Sequence, residues 1–591
     1  MSYKAAPIRF APTLNPNSDE TNQNTVGIID AQNIRFFRGG IEKMGGWTGI
    51  LLNKSISGKP RSILTFERAN KIWTIIGTHT KLYARRAGQL YNITPLVTVA
   101  TATLGTNPLA VVNTTPTITV TYTTHGLAVG DKIKLSGASD TGGILAAAIN
   151  KEHVVVTTPT ANTFTITAAT NATSTVSGGG AAVQIFKEIA AGEADANSSY
   201  GAWIGIPWNT AINAWVVQAD SSLLTTPRVW GQATFGDTWV GGTGNGGGVY
   251  KWEGDETVSA SLIANAPNAN WGWVEDARLC LLKGNIVYNS DTGDFTNWTP
   301  SSSTSAYEDA KEDAINLISQ INVGGINYVF DEYSNIFTLR WVGGSVKWVW
   351  QQITNTVGII APYARIERGG IVYFMGQDNI YYMNGSIIEP LPNNTLYKYI
   401  YNDIKTSQKR KCFMWYNAKF DEIWGHYPSG GATENDRCFI FNLKEATWNR
   451  LTSLDRTAYD RAGEVFETPL LASSNGTLYQ HEVGYNDGAN AMNSSFQTSF
   501  QANSEGKYYT EVEGMELDAI LTGNMTISLL GKHRQNEIGN VLASFAITET
   551  TKAIDCIKET RYLSWKFESN VLNGYFRVGG YRQFINRGGE F

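Results

Sequence analysis

The sequence predicts an all-β fold: a β-propeller-like core, an inserted small β-sandwich or barrel module, and a C-terminal β-sandwich. Three observations carry this reading. The chain holds 18 Trp, 27 Tyr and 23 Phe beside 59 Gly; aromatic rings pack well on pleated strands, and glycine supplies the positive φ of tight turns. Short apolar runs alternate with Gly, Asn and Asp turns along most of the 591 residues. Blocks with that grammar recur at irregular intervals of roughly 40 to 60 residues, the length of a propeller blade.

Taken in order, residues 1–24 read as an extended, Pro- and Asn-rich leader. Residues 25–95 read as the first part of the propeller core. Within them NIRFFRGGIEKMGGW suggests a hairpin turning at Gly39-Gly40, and KIWTIIGTHTKLYARRAGQLYNI a meander turning at Thr78-His79 and Ala87-Gly88. Composition then shifts. From Leu96 to Ile185 there are six charged side chains and 21 Thr, and alternating Thr/Val/Ile runs mark residues 96–190 as a separate inserted β module, with Gly178-Gly179-Gly180 near its exit.

Residues 191–490 resume the core in blocks such as RLCLLKGNIVYNSD and GGIVYFMGQDNIYYMNGS. A single blade cannot bury both faces alone, so such repeats imply stacking about an axis. Ala306 to Ile321 breaks the pattern. Its acids Glu308, Asp309, Glu312 and Asp313 fit the first turn of a short helix, and they fit an acidic loop entering a strand equally well. Residues 491–591 read as a C-terminal β-sandwich, with strands in NMTISLLGK, RYLSWKF and GYFRVGGYRQFINR.

Only 17% of residues are charged and the net charge is −5. That balance argues against a protein that grips nucleic acid through its phosphates, which requires surplus Lys and Arg, but not against one that lets DNA pass. No apolar run reaches the ~20 residues of a membrane span, and the N-terminus lacks a signal-like apolar stretch, so a soluble cytosolic product without membrane insertion is expected.

No motif earns a chemical role. The run from Gly241 to Gly248 matches GxGxxG from Gly242, but VYKWEG follows it and reads as a strand rather than the helix a dinucleotide site requires. His79, His125, His153, His426, His481 and His533 lack metal-site spacing. Cys280, Cys412, Cys438 and Cys556 sit in apolar contexts as buried free thiols. The acids beside aromatics, Asp291 with Asp294, Asp331 with Glu332 and Asp421 with Glu422, could serve as a glycosidase pair, though Asp is an ordinary turn residue. The reading therefore assigns no catalytic, cofactor-binding or metal residue, expects no cofactor, and expects a protein that is not an enzyme.

Several segments resemble the tail nozzle family of short-tailed bacteriophages, also called tail tubular protein B or phage stabilisation protein. The resemblance lies in NIRFFRGGIEKMGGW, at Asn33, Arg35, Phe36, Gly39, Glu42, Lys43, Gly46 and Trp47; in Val357-Gly358 preceding Gly376, Asp378, Ile380 and Tyr381; and in the ending from Arg561 to Phe591. It covers about two thirds of the chain, through motifs that are individually loose but correctly ordered. The Thr-rich insert lies outside it and is similar instead to small β-modules of phage and cell-wall proteins, with HGLAVGD at His125 to Asp131. The resemblance implies a virion protein made in the bacterial cytoplasm. Six copies would form a ring at the distal tail that closes the DNA channel until ejection, contact adaptor or portal proteins and tail fibres or spikes, and pass viral DNA without sequence-specific binding. The alternative is a propeller-based tail protein that degrades or binds polysaccharide.

Overall fold

The computed structural model describes residues 4–16, 25–196, 208–209, 214–215, 226–244, 246–344, 347–460, 468–502 and 506–590. The fold is all-β and propeller-like, organised in two compact units.

The first unit comprises Met1–Leu51, Asp195–Thr226 and Glu312–Phe591. It holds three consecutive four-stranded antiparallel meanders, running from Leu317–Val323 to Trp348–Thr354, from Arg365–Arg368 to Ile387–Pro390, and from Phe413–Asn417 to Thr447–Leu451. The strand Glu422–Tyr427 is buried along its whole length, as expected of a blade's inner strand covered on both faces. A fourth sheet is assembled differently. Ala458–Tyr459, Leu470–Ala472 and Leu478–His481 supply three strands, Trp47–Ile50 arrives from the other end of the chain in register His481↔Trp47, and the short strands Asn486–Asp487 and Asn490–Ala491 follow on its far edge. This closing sheet therefore ties the start of the chain to residue 481.

The same unit contains a two-ended sandwich. Lys4–Leu14 pairs antiparallel with the final strand Tyr575–Glu590 through Lys4↔Ile585 and Ile8↔Tyr581, then parallel with Thr25–Gln32 through Phe10↔Val26. Ile34–Phe37 and Gly40–Lys43 form a hairpin as expected, but it turns at Arg38-Gly39, both at positive φ, rather than at Gly39-Gly40, because Gly40 pairs with Phe37 in the ladder; Gly40–Lys43 continues onto the final strand. These N-terminal strands interleave with Ser494–Thr498, Tyr508–Thr522, Met525–Lys532 and Tyr562–Ser569 around stacked Phe496 and Phe567, with Phe10 edge-on to both. Two expectations change here. The segment expected as a leader contains a strand over Lys4–Leu14, and residues 25–43 complete the sandwich rather than the propeller core. The reason is pairing: the long terminal strands leave a ladder that only a distant segment can fill.

The second unit comprises Leu52–Ala194 and Pro227–Lys311. It contains three more four-stranded meanders, starting at Pro60–Arg68, Gly231–Phe235 and Trp271–Glu275. Buried Trp73 and Trp252 meet edge-on at 5.0 Å in its core. The third meander ends on Tyr307–Ala310, and Leu317 opens the next strand, so the acidic stretch is strand and loop rather than helix. Its apolar residues gather at Leu317 and Ile318 and provide no helical stripe before them.

The insert belongs to this second unit. Leu96–Thr103, Gln184–Glu188, Lys132–Ser136 and Glu152–Val154 form one sheet; Thr157–Thr160, Thr163–Thr167, Thr117–Thr121, Leu109–Val111 and Val176–Gly178 form another. Along Thr117–Thr121 the alternation is visible residue by residue, with Ile118 and Val120 buried and Thr117 and Thr121 exposed. The module has its own core, including Leu109, Ile133, Phe164 and Ile185.

Candidate functional site

The residues of the N-terminal motif converge on one buried node. Arg35 reaches Glu422 with Nε to Oε1 at 2.6 Å and Nη2 to Oε2 at 2.9 Å, and donates to Glu482 through Nη2 at 2.6 Å. The guanidinium lies 3.5 Å over the Phe420 ring, and Asn417 and Trp424 donate to the same carboxylates. All three charges are buried. Burial opposes the charge on Arg35, but Glu422 and Glu482 outweigh it and raise its pKa. One cation thus joins the hairpin at residue 35 to the sheets carrying residues 422 and 482.

The neighbouring motif residues serve the same junction. Asn33, at positive φ, donates from Nδ2 to the Asn493 carbonyl at 2.7 Å. Glu42 accepts from the Tyr575 hydroxyl at 3.3 Å. Gly46 lies against Asn486 so closely that an added Cβ would sit 2.2 Å from its carbonyl oxygen, which only glycine avoids. The indole of Trp47 donates to Asp487 and stacks on His481 with ring centroids 5.3 Å apart. Lys43 is buried, its ammonium nitrogen has no partner among the described residues, and burial pushes its pKa down to about 8.

In the middle of the chain, a Cβ on Gly358 would lie 2.5 Å from the Tyr333 carbonyl, and Tyr381 donates to Asp378 at 2.9 Å beside fully buried Ile380. The family-like residues are therefore positions of close packing and pairing.

The acids singled out as a possible glycosidase pair are also committed to structure. Asp331 is fully buried and accepts the backbone N–H groups of Ile315, Asn316 and Tyr333. Glu332 is gripped by the Arg410 guanidinium, which with its other donors holds the carboxyl below its usual range despite burial. Asp291 caps a turn by accepting the Ser305 amide and hydroxyl, and Asp294 caps the next through Thr296, so both pKa values are lowered. Asp421 occupies a positive-φ turn and accepts the Tyr416 hydroxyl at 2.6 Å, while its neighbour Glu422 belongs to the Arg35 node. None of the three pairs points two free carboxyls into one cleft.

The Gly242 motif lies at the turn between Thr238–Gly242 and Val249–Trp252, a blade hairpin with no helix following. All four cysteines are buried and free. Among the described residues no group of three or more His, Cys, Asp or Glu is placed to hold a metal ion. His125 Nδ1 accepts the Leu127 amide and its Nε2 faces the Thr160 carbonyl, which explains HGLAVGD as a loop brace. Sequence reasoning missed the pairing of His426 and His481, which lie in one buried cluster with Trp415 and Trp424. Their 55-residue separation carries no local signal.

An open cleft of about 690 Å³ lies between Asn15-Pro16 and the helix Tyr397–Asp403. Its Thr395 donates to the Leu14 carbonyl and its Asp403 pairs with Arg437 at 3.0 Å, leaving few convergent free polar groups.

No protein-family profile matches the chain, and no curated protein matches it. Solved structures similar to it include the computationally designed protein Ika8, at 8% identity and a TM-score of 0.32 over 73% of this chain and 99% of that one. Others are the endosialidase of phage phi92, at 12% identity, a TM-score of 0.18 and coverage of 81% and 68%, and the exo-β-1,3-galactanase of Phanerochaete chrysosporium, at 10% identity, a TM-score of 0.20 and coverage of 62% and 97%. At these scores the likenesses carry no argument about function.

Proposed function

We propose that this chain is a structural subunit of the tail of a short-tailed bacteriophage, a nozzle-type ring component that conducts DNA and carries fibres or spikes. One observation carries the reading: the residues through which the sequence resembles that family, Arg35, Gly46 and Trp47 above all, are those that bind the N-terminal hairpin and the strand after it to the blade-like sheets. A low charge content and a net charge of −5 suit a passage that should not retain the DNA moving through it. The carboxylates that would serve a hydrolase are engaged in turns and ion pairs, which favours the structural reading over a polysaccharide-degrading one. Association as a ring, attachment to adaptor or portal proteins and residence in the virion tail follow as parts of the same proposal.

The test is assembly. The purified chain, alone and with the adaptor or portal proteins of its virus, should sediment as a ring-sized oligomer and appear as rings in electron micrographs. Monomers under both conditions would defeat the proposal.

A further inference from the structure

We propose that the contact between His481 and Arg456 makes the closing sheet an acid-sensitive latch: protonating His481 releases the strand Trp47–Ile50 from Leu478–His481. The geometry requires a neutral imidazole. Arg456 donates from Nε to His481 Nε2 at 2.7 Å, so that nitrogen must present its lone pair. Among the described residues the other acceptor of the guanidinium is the Asp455 carbonyl at 2.7 Å, and Nη2 has no partner. A buried cation is thus held by an imidazole and a carbonyl rather than by a carboxylate.

The carboxylates around it are already committed. Asp455 accepts the amide and hydroxyl of Ser474, Asp487 accepts the Trp47 indole, and Glu422 and Glu482 hold Arg35. The remaining neighbours are aromatic or neutral: Arg456 lies over the rings of Tyr479 and Trp47, and His481 packs against Trp47, Trp415 and Trp424. His426 completes the cluster. It stacks on Phe413 at 4.6 Å, accepts the Trp415 indole at Nε2, and has an unmet Nδ1.

A proton on His481 would remove the acceptor of Arg456 and set two cations against each other in a buried site. The element best placed to yield is Trp47–Ile50. It meets His481 both as a ladder partner and through the Trp47 ring, and long-range pairings alone hold it in the closing sheet, to Leu478–His481 on one edge and to Asp487 on the other. Burial and Arg456 both hold His481 well below the ordinary histidine value. The folded state therefore binds fewer protons than the released one. Its advantage is complete above the free imidazole pKa of about 6.5, and each pH unit below that multiplies release by up to tenfold for one histidine.

Hydrogen exchange read by mass spectrometry, corrected for the intrinsic pH dependence of exchange, tests this on the full chain. Protection of the 47–50 amides should fall about fivefold between pH 6.5 and 5.5, and His481→Gln, which keeps an acceptor but cannot titrate, should remove that fall. Unchanged protection in the wild type, or an equal fall in the variant, would overturn the proposal. If the variant does not fold, exchange at the imidazole C2 position of the unmodified protein decides. A His481 titration midpoint far below 6.5 supports the latch, and an ordinary midpoint rejects it.

Discussion

The two-ended sandwich and the inserted module are both β-structures packed around apolar cores, yet they place charge in opposite ways. The sandwich, built from residues at both ends of the chain, adjoins a fully buried Arg35 with two carboxylates and contains a buried Lys43 with no partner among the described residues. The insert is one continuous segment with an apolar interior, and several of its charges gather where it meets the blades of its own unit. There Lys81 bridges Asp131 at 2.8 Å and Glu188 at 2.7 Å, and Glu152 takes Lys132 and Ser259. A continuous segment finds its partners locally, so burial of Ile, Val and Phe suffices. Joining residue 35 to residues 422 and 482 is a long-range choice among many apolar surfaces, and a buried ion pair accepts only one solution.

Removing Arg35 should break this contrast most severely. Arg35→Ala strands two buried carboxylates and should cost about 3–5 kcal/mol, or prevent folding altogether. Arg35→Lys should rescue little, because a point charge cannot grip both carboxylates in the forked geometry. Urea unfolding midpoints of the full chain measure both. The triple change R35M/E422Q/E482Q should recover part of the loss, since it leaves no unpaired charge; a variant no better than Arg35→Ala would show that packing, not charge, holds the junction.

That junction also marks where the sequence stops being readable. The blade meanders follow from alternation and turn residues: Ala87 and Gly88 do take positive φ between Leu82–Arg86 and Gln89–Asn92. The insert announces itself by composition, because a self-contained core needs only local pattern. Nothing near Lys4–Leu14 indicates that it pairs with a strand beginning at Tyr575, and nothing near Trp47 that it completes the sheet of His481. Such pairings depend on which ladder is left open after the rest has folded, which no local window contains. The candidate acids were visible as residue types, but their commitment to turns and to Arg410 or Arg35 is a property of the folded chain.

A smaller effect, of opposite sign, is expected at Lys43. Its folded pKa of about 8 lies below the unfolded value, so the folded state binds fewer protons in that range and stability should rise as pH climbs from about 8 to 10.5. Lys43→Met keeps the chain's volume and removes the buried nitrogen. It should stabilise the protein by about 1–3 kcal/mol at pH 7, with the gain vanishing near pH 10.5. Thermal unfolding of both proteins across that pH range checks it, and a destabilised variant at pH 7 would mean that the ammonium has found a partner.

The smallest effect is expected at the insert's anchor, where Lys81 behaves as the reverse of Lys43. Its folded pKa is raised: burial pulls it down, but Asp131 and Glu188 more than compensate. The lysine's contribution is therefore fully present below the unfolded value and fades only as pH rises through the folded one, giving no slope from this group between pH 7 and 9. The bridge is partly open to solvent, with side-chain exposures of 17%, 24% and 12% for Lys81, Asp131 and Glu188. A double-mutant cycle of Lys81→Met with Glu188→Gln should consequently return a coupling of about 1 kcal/mol or less. Raising salt to 1 M should shrink it, because a partly open pair is screened more than the buried Arg35 node. A coupling as large as the loss at Arg35 would erase the distinction between the two regions. It would mean that the insert, despite its continuous apolar core, is held in place by the same kind of buried charge that joins the chain ends.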